Sequence, residues 1–475
     1  MGSGRLPSYL AGLSGPVSVF VGVLMLGMAP LIRGGNRHVA LVLLECLALI
    51  VLLAQGIERP HRTGGTNMPT ERLTGLAIGV LVLAPLWAAF VQLIPLPATL
   101  WDALPGRAVY ADAIRVAQVR EDGFRPPSLA PDFTVLSLLA GLPLSAAFLL
   151  AYRSSAPQLQ LLIHSLIGFA AAQAVLGLLQ MGSFQGLYFG AAAGGRAIGT
   201  FANPNHFANY IAMTVPLTVL FLRQAVTASR KKTGERRSRQ PVAVVLGVTL
   251  FLLLAAVLAS GSRGGTVTTL VVTLLAVWLL RRRRSHRSEH RWGLAGVAAL
   301  LALVAIAVGM DALLSRFEAD KSGYFVSDRW HMVVAAWHGA LVFWPFGSGM
   351  GTFASVFPAF HPVGLRGFVE HAHNDYVQLL MEGGLLVVVL LLVALALVFR
   401  QIARLLRRDR QSGLDPQAQL QAACGLGLLA IVLHSWVDFN LRIPANGILA
   451  AFLLGAFLRQ WPEHSSPRRE YPDVG

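Results

Sequence analysis

A dense group of polar residues, 368-FVEHAHNDYVQLLMEGG-384, directly precedes one of the most apolar runs of the chain, 385-LLVVVLLLVALALVF-399. His371 and His373 stand just before this run, where water would meet a bilayer. An imidazole exchanges protons near neutral pH, and one held by a carboxylate through its other nitrogen acts as a general base. The segment therefore predicts acid–base chemistry at a membrane edge, with His373 as the first candidate. Interfacial anchoring is the competing interpretation, and for His371 alone it is the favoured one.

Three polar side chains follow the histidines at helical spacing. Asp375, Gln378 and Glu382 are separated by three and four residues, which places them on one face of a helix. Such a face is expected to point into the protein and away from lipid. Asn374 and Asp375 are also good helix-capping types, which is a purely structural role. We expect Asn374, Asp375 and Glu382 to bind substrate beside His373.

Two isolated arginines lie in segments expected outside the membrane. Arg263 occupies the turn 260-SGSRGG-265, and Arg329 opens the segment 328-DRWHMVVAAWHGALVFW-344, which predicts an amphipathic helix. The guanidinium group carries a fixed charge and a planar fork of donors that suits phosphate. Together the two arginines predict binding of a lipid pyrophosphate. Snorkelling to lipid headgroups is the alternative, nearly as strong for Arg329 on this pattern alone.

A second polar island is 194-GGRAIGTFANPNHFANY-210. Asn205 and His206 stand where a span begins, and Arg196 precedes them. Loop termination with helix capping explains this composition. Sugar binding explains it equally well, because amides and aromatic rings suit ligands rich in hydroxyl groups. Both interpretations remain open from the sequence.

Other motifs add little chemistry. His434 and Asp438 are four residues apart on a predicted span, so they could bond to each other or support the site. No H-E-x-x-H or Asp-rich pair accompanies the histidines, and 347-GSGMG-351 lacks the lysine and the strand–helix context of a P-loop. We expect no metal and no other cofactor.

Composition indicates that the chain is a membrane protein. It has 475 residues, of which 55% are hydrophobic and 13% charged, against about 25% charged in soluble domains. The net charge of +16 does not form a soluble basic face, so nucleic acid is not an expected partner. The two cysteines, Cys46 and Cys424, both lie in apolar runs and predict no disulfide.

The apolar runs predict an all-α polytopic protein with about twelve transmembrane helices. We place the spans near 16–32, 39–57, 73–94, 133–152, 158–182, 205–222, 241–259, 265–280, 293–310, 376–399, 420–438 and 443–458. Basic residues in 223–240, 281–292 and 400–410 assign these three segments to the cytoplasm.

The polar segments then fall on the opposite side, where 311–375 is too long for a passive connection. This arrangement divides the chain into four regions. They are the N-terminal helices and first external loop (1–130), the central helices (131–310), the large loop with the catalytic segment (311–375), and the C-terminal helices and tail (376–475).

Four motifs in this order give the chain a family resemblance: GRAIGTFANPNHFANY, SGSRGG, SDRWHMVVAAW with PFGSGMGTF, and HAHNDYVQLLMEGG. Together they resemble the O-antigen ligase and polymerase superfamily of bacterial inner-membrane glycan transferases. The likeness extends over about residues 130 to 445, and the motif containing His373 and Asn374 is its most specific part.

The resemblance implies a metal-independent, GT-C-like helical fold that works on the periplasmic side. It implies transfer of a glycan from undecaprenyl pyrophosphate to an acceptor hydroxyl, with inversion at the anomeric carbon. His373 would be the base, Arg263 and Arg329 would bind the pyrophosphate, and His371 would be a partner or an alternate base.

The acceptor separates a ligase, which uses lipid A–core, from a polymerase, which uses another repeat unit. The ligase is favoured by resemblance and the polymerase stays the alternative. A flippase or transporter, and a non-catalytic assembly protein, are weaker alternatives.

Overall fold

The computed structural model describes residues 8–57, 69–118, 123–181, 184, 186–188, 194–229, 236–280, 324–365, 367–411 and 413–460. It is mostly helical, at 77%, which confirms an all-α class. Within these ranges eight helices are long and apolar enough to cross a membrane, and three shorter apolar helices accompany them. Eleven of the twelve predicted spans thus coincide with described helices. The predicted span 293–310 lies outside the described residues, so the total of twelve stays a prediction.

The described residues form fifteen α-helices. In chain order they are α1 (Ser8–Met28), α2 (His38–Ile57), α3 (Pro69–Val91), α4 (Ala98–Asp102), α5 (Ala108–Val116), α6 (Pro131–Arg153), α7 (Ala156–Leu179), α8 (Pro204–Ser229), α9 (Arg236–Ala259), α10 (Arg263–Leu279), α11 (Tyr324–Val342), α12 (Phe353–Val356), α13 (Asp375–Gln411), α14 (Pro416–His434) and α15 (Pro444–Leu458). Short 3₁₀ turns cover Arg33–Gly35, Phe357–Phe360 and Asn440–Arg442. Two antiparallel strands of two residues each, β1 (Leu96–Pro97) and β2 (Phe124–Arg125), pair in the connection between α3 and α6.

Helix α8 is the most enclosed of the spans, with 67% of its apolar window buried inside the protein. It packs against α7, α9, α10, α14 and α15. Its first turn carries Asn205 and His206, so these polar side chains lie at the end of a helix that other helices enclose. A polar group at such a position is surrounded by protein and not by lipid, as functional polar groups in membranes are.

Helix α11 confirms that the segment 328–344, predicted to be an amphipathic helix, is mostly helical, ending at Val342. Ala336 and Ala340 are buried, whereas Trp330 and Trp337 are exposed. The buried face packs on α13, and together with aromatic residues of the following segment it forms a second apolar core. This core also encloses Ala372, so it holds the segment between the two histidines in place.

Helix α13 breaks where the glycine-rich segment after α11 docks against it. Gly384 has φ 57° and ψ −143°, a conformation that interrupts the helix. The freed backbone groups find new partners: Leu385 donates its N–H to the carbonyl of Pro345 at 2.8 Å. Gly349 donates to the carbonyl of Glu382 at 3.0 Å. The break therefore joins the large loop to the polar N-terminal turns of α13.

The connection between α3 and α6 is tied to the same place. Gln92 donates to the carbonyl of Glu382 at 2.8 Å and accepts from the N–H of Met350 at 2.8 Å. The buried Arg107 donates to the carbonyls of Pro127 and Gly347, at 2.5 and 2.8 Å. Burial lowers the pKa of Arg107 to about 10. An arginine anchored on carbonyls alone fixes the two loops together.

Candidate active site

The two histidines of the polar segment differ in backbone conformation. His373 has φ 53°, in the left-handed region that few side chains other than glycine adopt. Strain of this kind concentrates at functional sites, where the surroundings hold it. Asn374 then caps α13, because its side-chain oxygen accepts from the N–H groups of Tyr376 and Val377 at 3.0 and 3.1 Å. The predicted capping role is confirmed, and the cap fixes the direction in which His373 leaves the helix.

The carboxylate of Asp438 is the centre of the site. His373 Nδ1 lies 3.2 Å from Asp438 Oδ1, and Asn205 donates its side-chain N–H to Oδ2 at 2.6 Å. His206 Nε2 is 3.7 Å from the same Oδ1, which is outside hydrogen-bond distance. Burial alone would raise the pKa of the Asp438 carboxyl, but the imidazoles of His206 and His373 lower it well below its ordinary value. Asp438 is therefore an ionised, buried carboxylate that orients His373.

Pairing between His434 and Asp438 was one expectation for the eleventh span. Helix α14 ends at His434, so Asp438 lies beyond the helix and the four-residue helical relationship does not apply. Asp438 bonds instead to His373 and Asn205, while the buried Nδ1 of His434 has no hydrogen-bond partner within the described part of the chain. Asp438 thus supports the site through its contact with His373 and not through a pair with His434.

The island 194–210 reaches the site through its asparagine and histidine. Asn203 accepts the N–H of Asn205 at 2.8 Å and so caps the start of α8, while Asn205 itself contacts Asp438. Two buried glutamines hold the preceding loop. Gln180, just after the end of α7, donates to the carbonyl of Gly199 at 2.7 Å, and Gln173 within α7 accepts from the N–H of Thr200 at 2.9 Å.

The aromatic residues of this island, which the sugar-binding interpretation includes, have another place. The structure buries Phe201, Phe207 and Tyr210 in the core.

The ring of Phe439 lies among three imidazoles. It stacks on His371 with a centroid distance of 4.3 Å and meets His206 and His373 edge-on at 4.6 and 4.9 Å. Aromatic pairs at such distances fix ring orientation as well as position. Phe439 therefore holds His371 and His373 on a common scaffold, although Phe439 itself carries no polar group.

Glu382 has four protein donors. Its carboxylate accepts from the N–H groups of Gly351 and Phe353 at 3.1 and 3.2 Å, from Gln378 Nε2 at 3.1 Å and from Arg442 at 2.6 Å. A carboxylate has about four acceptor positions, so this set occupies them. The expected face of Asp375, Gln378 and Glu382 is buried, as predicted. The contacts of Glu382 suit an anchor for the loop after α11 and not direct contact with substrate.

His371 lies beside this anchor. Its Nδ1 is 3.3 Å from Gln378 Nε2. Burial lowers the pKa of His371 to about 3, and the positive charge of Arg442 contributes in the same direction. His371 is thus a neutral imidazole at physiological pH.

Arginines surround the segment that carries Asp438. Arg329 donates to the carbonyl of Val437 at 3.3 Å. Arg263 is exposed at the start of α10, and its neighbour Gly264 lies so close to the end of α14 that a Cβ there would be 2.9 Å from His434 Nε2. The structure therefore brings both predicted arginines to the end of α14 that leads to Asp438. Arg196 donates to the carbonyl of Ser260 at 2.7 Å, in the same turn as Arg263.

Sequence reasoning missed Arg442 and the role of Asp438 as the partner of His373. The only signal for Arg442 was a charge in the short turn 440-NLRIPAN-446 between two apolar spans. Within the described ranges, no group of three or more His, Cys, Asp or Glu side chains is arranged to hold a metal ion.

The site and the basic segments lie at opposite ends of the same helices. The site uses the N-terminal ends of α8 and α13, whereas Arg408 and Arg410 occupy the last turn of α13. Beyond the break at Gly384, α13 continues over residues 385–411, which at about 1.5 Å each extend roughly 40 Å, more than the ~30 Å hydrocarbon core of a bilayer.

A bundle of membrane-spanning helices with such a cluster at one end belongs to a multi-pass membrane protein with an enzyme-like polar site. Residues 248–392 match the family model described as O-Antigen ligase. This match supports a relationship between this part of the chain and the O-antigen ligase superfamily, in agreement with the motif resemblance. The matched range contains Arg263, Arg329, His371 and His373. No curated protein and no solved structure matches the chain.

Proposed function

We propose that the protein transfers a glycan from undecaprenyl pyrophosphate to an acceptor hydroxyl at the periplasmic face of the bacterial inner membrane. The observation that carries this proposal is the 3.2 Å contact between His373 Nδ1 and the buried Asp438 carboxylate. A carboxylate only accepts hydrogen bonds, so Nδ1 carries the proton and the lone pair of Nε2 is free to receive another. This is the arrangement of a general base.

In the proposed reaction, the acceptor oxygen forms a bond to the anomeric carbon while the bond from that carbon to the phosphate oxygen breaks. The proton of the acceptor hydroxyl moves to Nε2 of His373, and Asp438 stabilises the imidazolium that results. Attack opposite to the leaving group inverts the configuration of the anomeric carbon. Phe439 meets the imidazole ring of His373 edge-on and so restricts its rotation.

Arg263 and Arg329 neutralise the undecaprenyl pyrophosphate as it leaves. Positive groups aimed at the oxygen where charge develops lower the barrier more than groups that bind the ground state equally well. The support for this role is their shared neighbourhood: Arg329 contacts the residue before Asp438, and the turn of Arg263 packs on the end of α14. Arg196 would reinforce the same positive region through the turn at Ser260.

The periplasmic side is proposed from charge. The basic segments are expected in the cytoplasm, and the site uses the other ends of the helices that carry them. A polyprenyl tail stays in lipid, so a scissile bond at this end of the bundle can be reached from the membrane.

The test compares complementation of a deletion strain by the wild type, by His373→Gln and by His338→Gln. His338 is exposed on α11 and provides the matched control. We expect His373→Gln to insert and fold but to lose transfer by about 10²–10⁴-fold, the usual contribution of a general base. Normal transfer by that variant would reject the proposed base.

The glycan profile of the same deletion strain distinguishes the acceptors. A missing ligase leaves long lipid-linked polymer, whereas a missing polymerase leaves acceptors capped with single repeats. We favour the ligase. A flippase would distribute charged groups along a path through the bundle, but the candidate residues gather at one end of α8, α13 and α14.

A further inference from the structure

The orientation of the Gln378 amide is fixed by two independent contacts. Its Oε1 accepts the backbone N–H of Ala372 at 3.1 Å, and its Nε2 donates to Glu382 Oε1 at 3.1 Å. Rotating the amide by half a turn would place two donors together at Ala372 and two acceptors together at Glu382. The nitrogen of Gln378 therefore faces Glu382 and, with its second hydrogen, His371.

This orientation determines the tautomer of His371. Gln378 Nε2 lies 3.3 Å from His371 Nδ1, and an amide nitrogen only donates. His371 Nδ1 must therefore accept, which places the ring proton on Nε2. A protonated ring would set its Nδ1–H against the Gln378 donor, so this contact favours the neutral ring. His371 has no free lone pair for a base, and it presents a neutral N–H donor instead.

His371 and His373 thus carry their protons on opposite nitrogens. Asp438 holds the proton of His373 on Nδ1, while Gln378 holds that of His371 on Nε2. Arg442 pairs with Glu382 at 2.6 Å, and Glu382 accepts from Gln378. These two contacts hold the Gln378 amide in the orientation that determines the tautomer of His371. The buried chain from Arg442 to His371 has one consistent set of proton positions.

The three residues 437–439 contact the candidate groups in order. Arg329 contacts Val437, His373 contacts Asp438, and His371 stacks on Phe439. His371 and His373 share the ring of Phe439, so His371 lies beside the base, whereas Arg329 contacts the chain on the other side of Asp438 in the sequence. A neutral N–H donor at that place suits a hydroxyl oxygen of a sugar better than a diphosphate.

We propose that His371 binds the glycan acceptor, donating its Nε2–H to an oxygen of the acceptor sugar, and that Gln378, Glu382 and Arg442 act as positioning residues for it. This role rests on the proposed glycan transfer, because the attacking hydroxyl must sit at His373 Nε2. The two histidines then have different roles: His373 removes the proton, and His371 orients the acceptor that carries it.

The first experiment measures the tautomers directly. Long-range ¹H–¹⁵N correlation spectra of the full-length protein, labelled with ¹⁵N-histidine in nanodiscs, distinguish Nδ1–H from Nε2–H rings. His371→Gln and His373→Gln assign the two signals by their loss. We expect an Nε2–H ring for His371 and an Nδ1–H ring for His373. An Nδ1–H ring at His371 would overturn the proposal, whatever the activity of the protein.

The second experiment measures steady-state transfer from the purified undecaprenyl-pyrophosphate-linked glycan. Lipid A–core and the lipid-linked repeat unit are tested as acceptors in separate arms. We expect His371→Phe, which keeps the stacking on Phe439, to raise the acceptor KM by about three- to tenfold, as loss of one neutral hydrogen bond does. The donor KM and kcat should stay within about threefold of wild type, and His371→Gln, which keeps a donor, should recover part of the affinity.

The outcomes separate the two proposals. A loss of kcat by His371→Phe as large as that of His373→Gln, or a rise in the donor KM alone, would overturn the acceptor role of His371. Normal transfer by His373→Gln would instead reject the proposed function, and the tautomer spectra would still be interpretable. Gln378→Met gives a further check, since it should mix the His371 tautomers and raise the acceptor KM without changing the His373 signal.

Discussion

Replacing Asp438 by asparagine tests the central contact of the site with almost no change in shape. Asp438 Oδ1 accepts from His373 and from the N–H of Phe439 at 3.0 Å, so the oxygen of an asparagine amide can keep this position. The amide nitrogen then faces Asn205, whose own amide can turn to accept from it. The substitution therefore removes the negative charge beside His373 and leaves the packing in place.

The size of the effect follows from the distance. A carboxylate centred about 4 Å from an imidazolium attracts it by about 4 kcal/mol at an effective dielectric constant of about 20. The His373 side chain is 23% exposed, whereas that of Asp438 is 1% exposed. Water near the histidine screens part of the attraction, so we take about half, or ~2 kcal/mol. A loss of that size in the transition state lowers kcat by about 30-fold.

The assay is transfer of the lipid-linked glycan by protein reconstituted in nanodiscs, with thermal melting to check folding. Asp112→Asn is the matched control, because it also replaces a carboxylate by an amide, but in an exposed ion pair with Arg115. The double variant His373→Gln with Asp438→Asn should be no slower than His373→Gln alone, since Asp438 acts through His373.

The dependence on pH gives a second check on Asp438. The pKa of Asp438 lies well below its ordinary value, so the carboxylate stays ionised above that value and loses its charge only when the pH falls through the lowered pKa. The carboxylate of Asp438 should therefore add no ionisation of its own to the pH profile of wild-type transfer between about pH 5 and about pH 8. A folded Asp438→Asn protein within about threefold of wild-type kcat would refute the assignment of this carboxylate.

Two further predictions concern the packing around the site. Gly347 has φ 77° and a Cβ there would lie 2.3 Å from the carbonyl oxygen of Glu382, so Gly347→Ala should lower the free energy of unfolding by about 2–4 kcal/mol. Gly123→Ala, at φ 74° with open space around it, should cost only about 1–2 kcal/mol. Arg442→Met leaves the buried Glu382 carboxylate without its cation and should cost about 3–5 kcal/mol, part of which Glu382→Gln restores in the double variant.

Thermal and chemical unfolding in detergent measure both predictions. Equal losses for the two glycine variants would mean that backbone conformation alone, and not the approach of Glu382, explains the effect. An Arg442→Met protein as stable as wild type would mean that the 2.6 Å pair with Glu382 contributes nothing to the free energy of unfolding. It would also contradict the proposed role of Arg442 as a positioning residue for His371.

The helices were predictable because apolar runs of the right length leave few alternatives in a bilayer. The local part of the site was predictable for a related reason: the capping residue Asn374 and the buried face of Gln378 and Glu382 depend only on helical spacing. Contacts between distant segments were not. The partner of His373 is 65 residues away, and Gln92 reaches Glu382 across 290 residues. No spacing rule connects such positions.

A misjudged helix end explains the error at Asp438. Continuing α14 to residue 438 makes Asp438 a neighbour of His434 on one helical face, whereas the helix ends at His434 and the chain turns. That turn moves the carboxylate from the interior of a span to the junction of three helix ends. The conformation of residues 435–438 therefore decides whether Asp438 pairs with His434 inside a span or with His373 at the site.

The convergence of helix ends has a mechanical consequence. Asp438 is held from α8 through Asn205 and touches His373 at the start of α13, and it follows the end of α14 itself. A shift of α8 against α14 by about 1 Å would break the 2.6 Å contact of Asn205 or lengthen the contact of His373, and misplacements of that size lower catalytic rates by about 10²-fold. The orientation of the base is thus set by the packing of α8 against α14, at a distance from the apolar contacts that determine that packing.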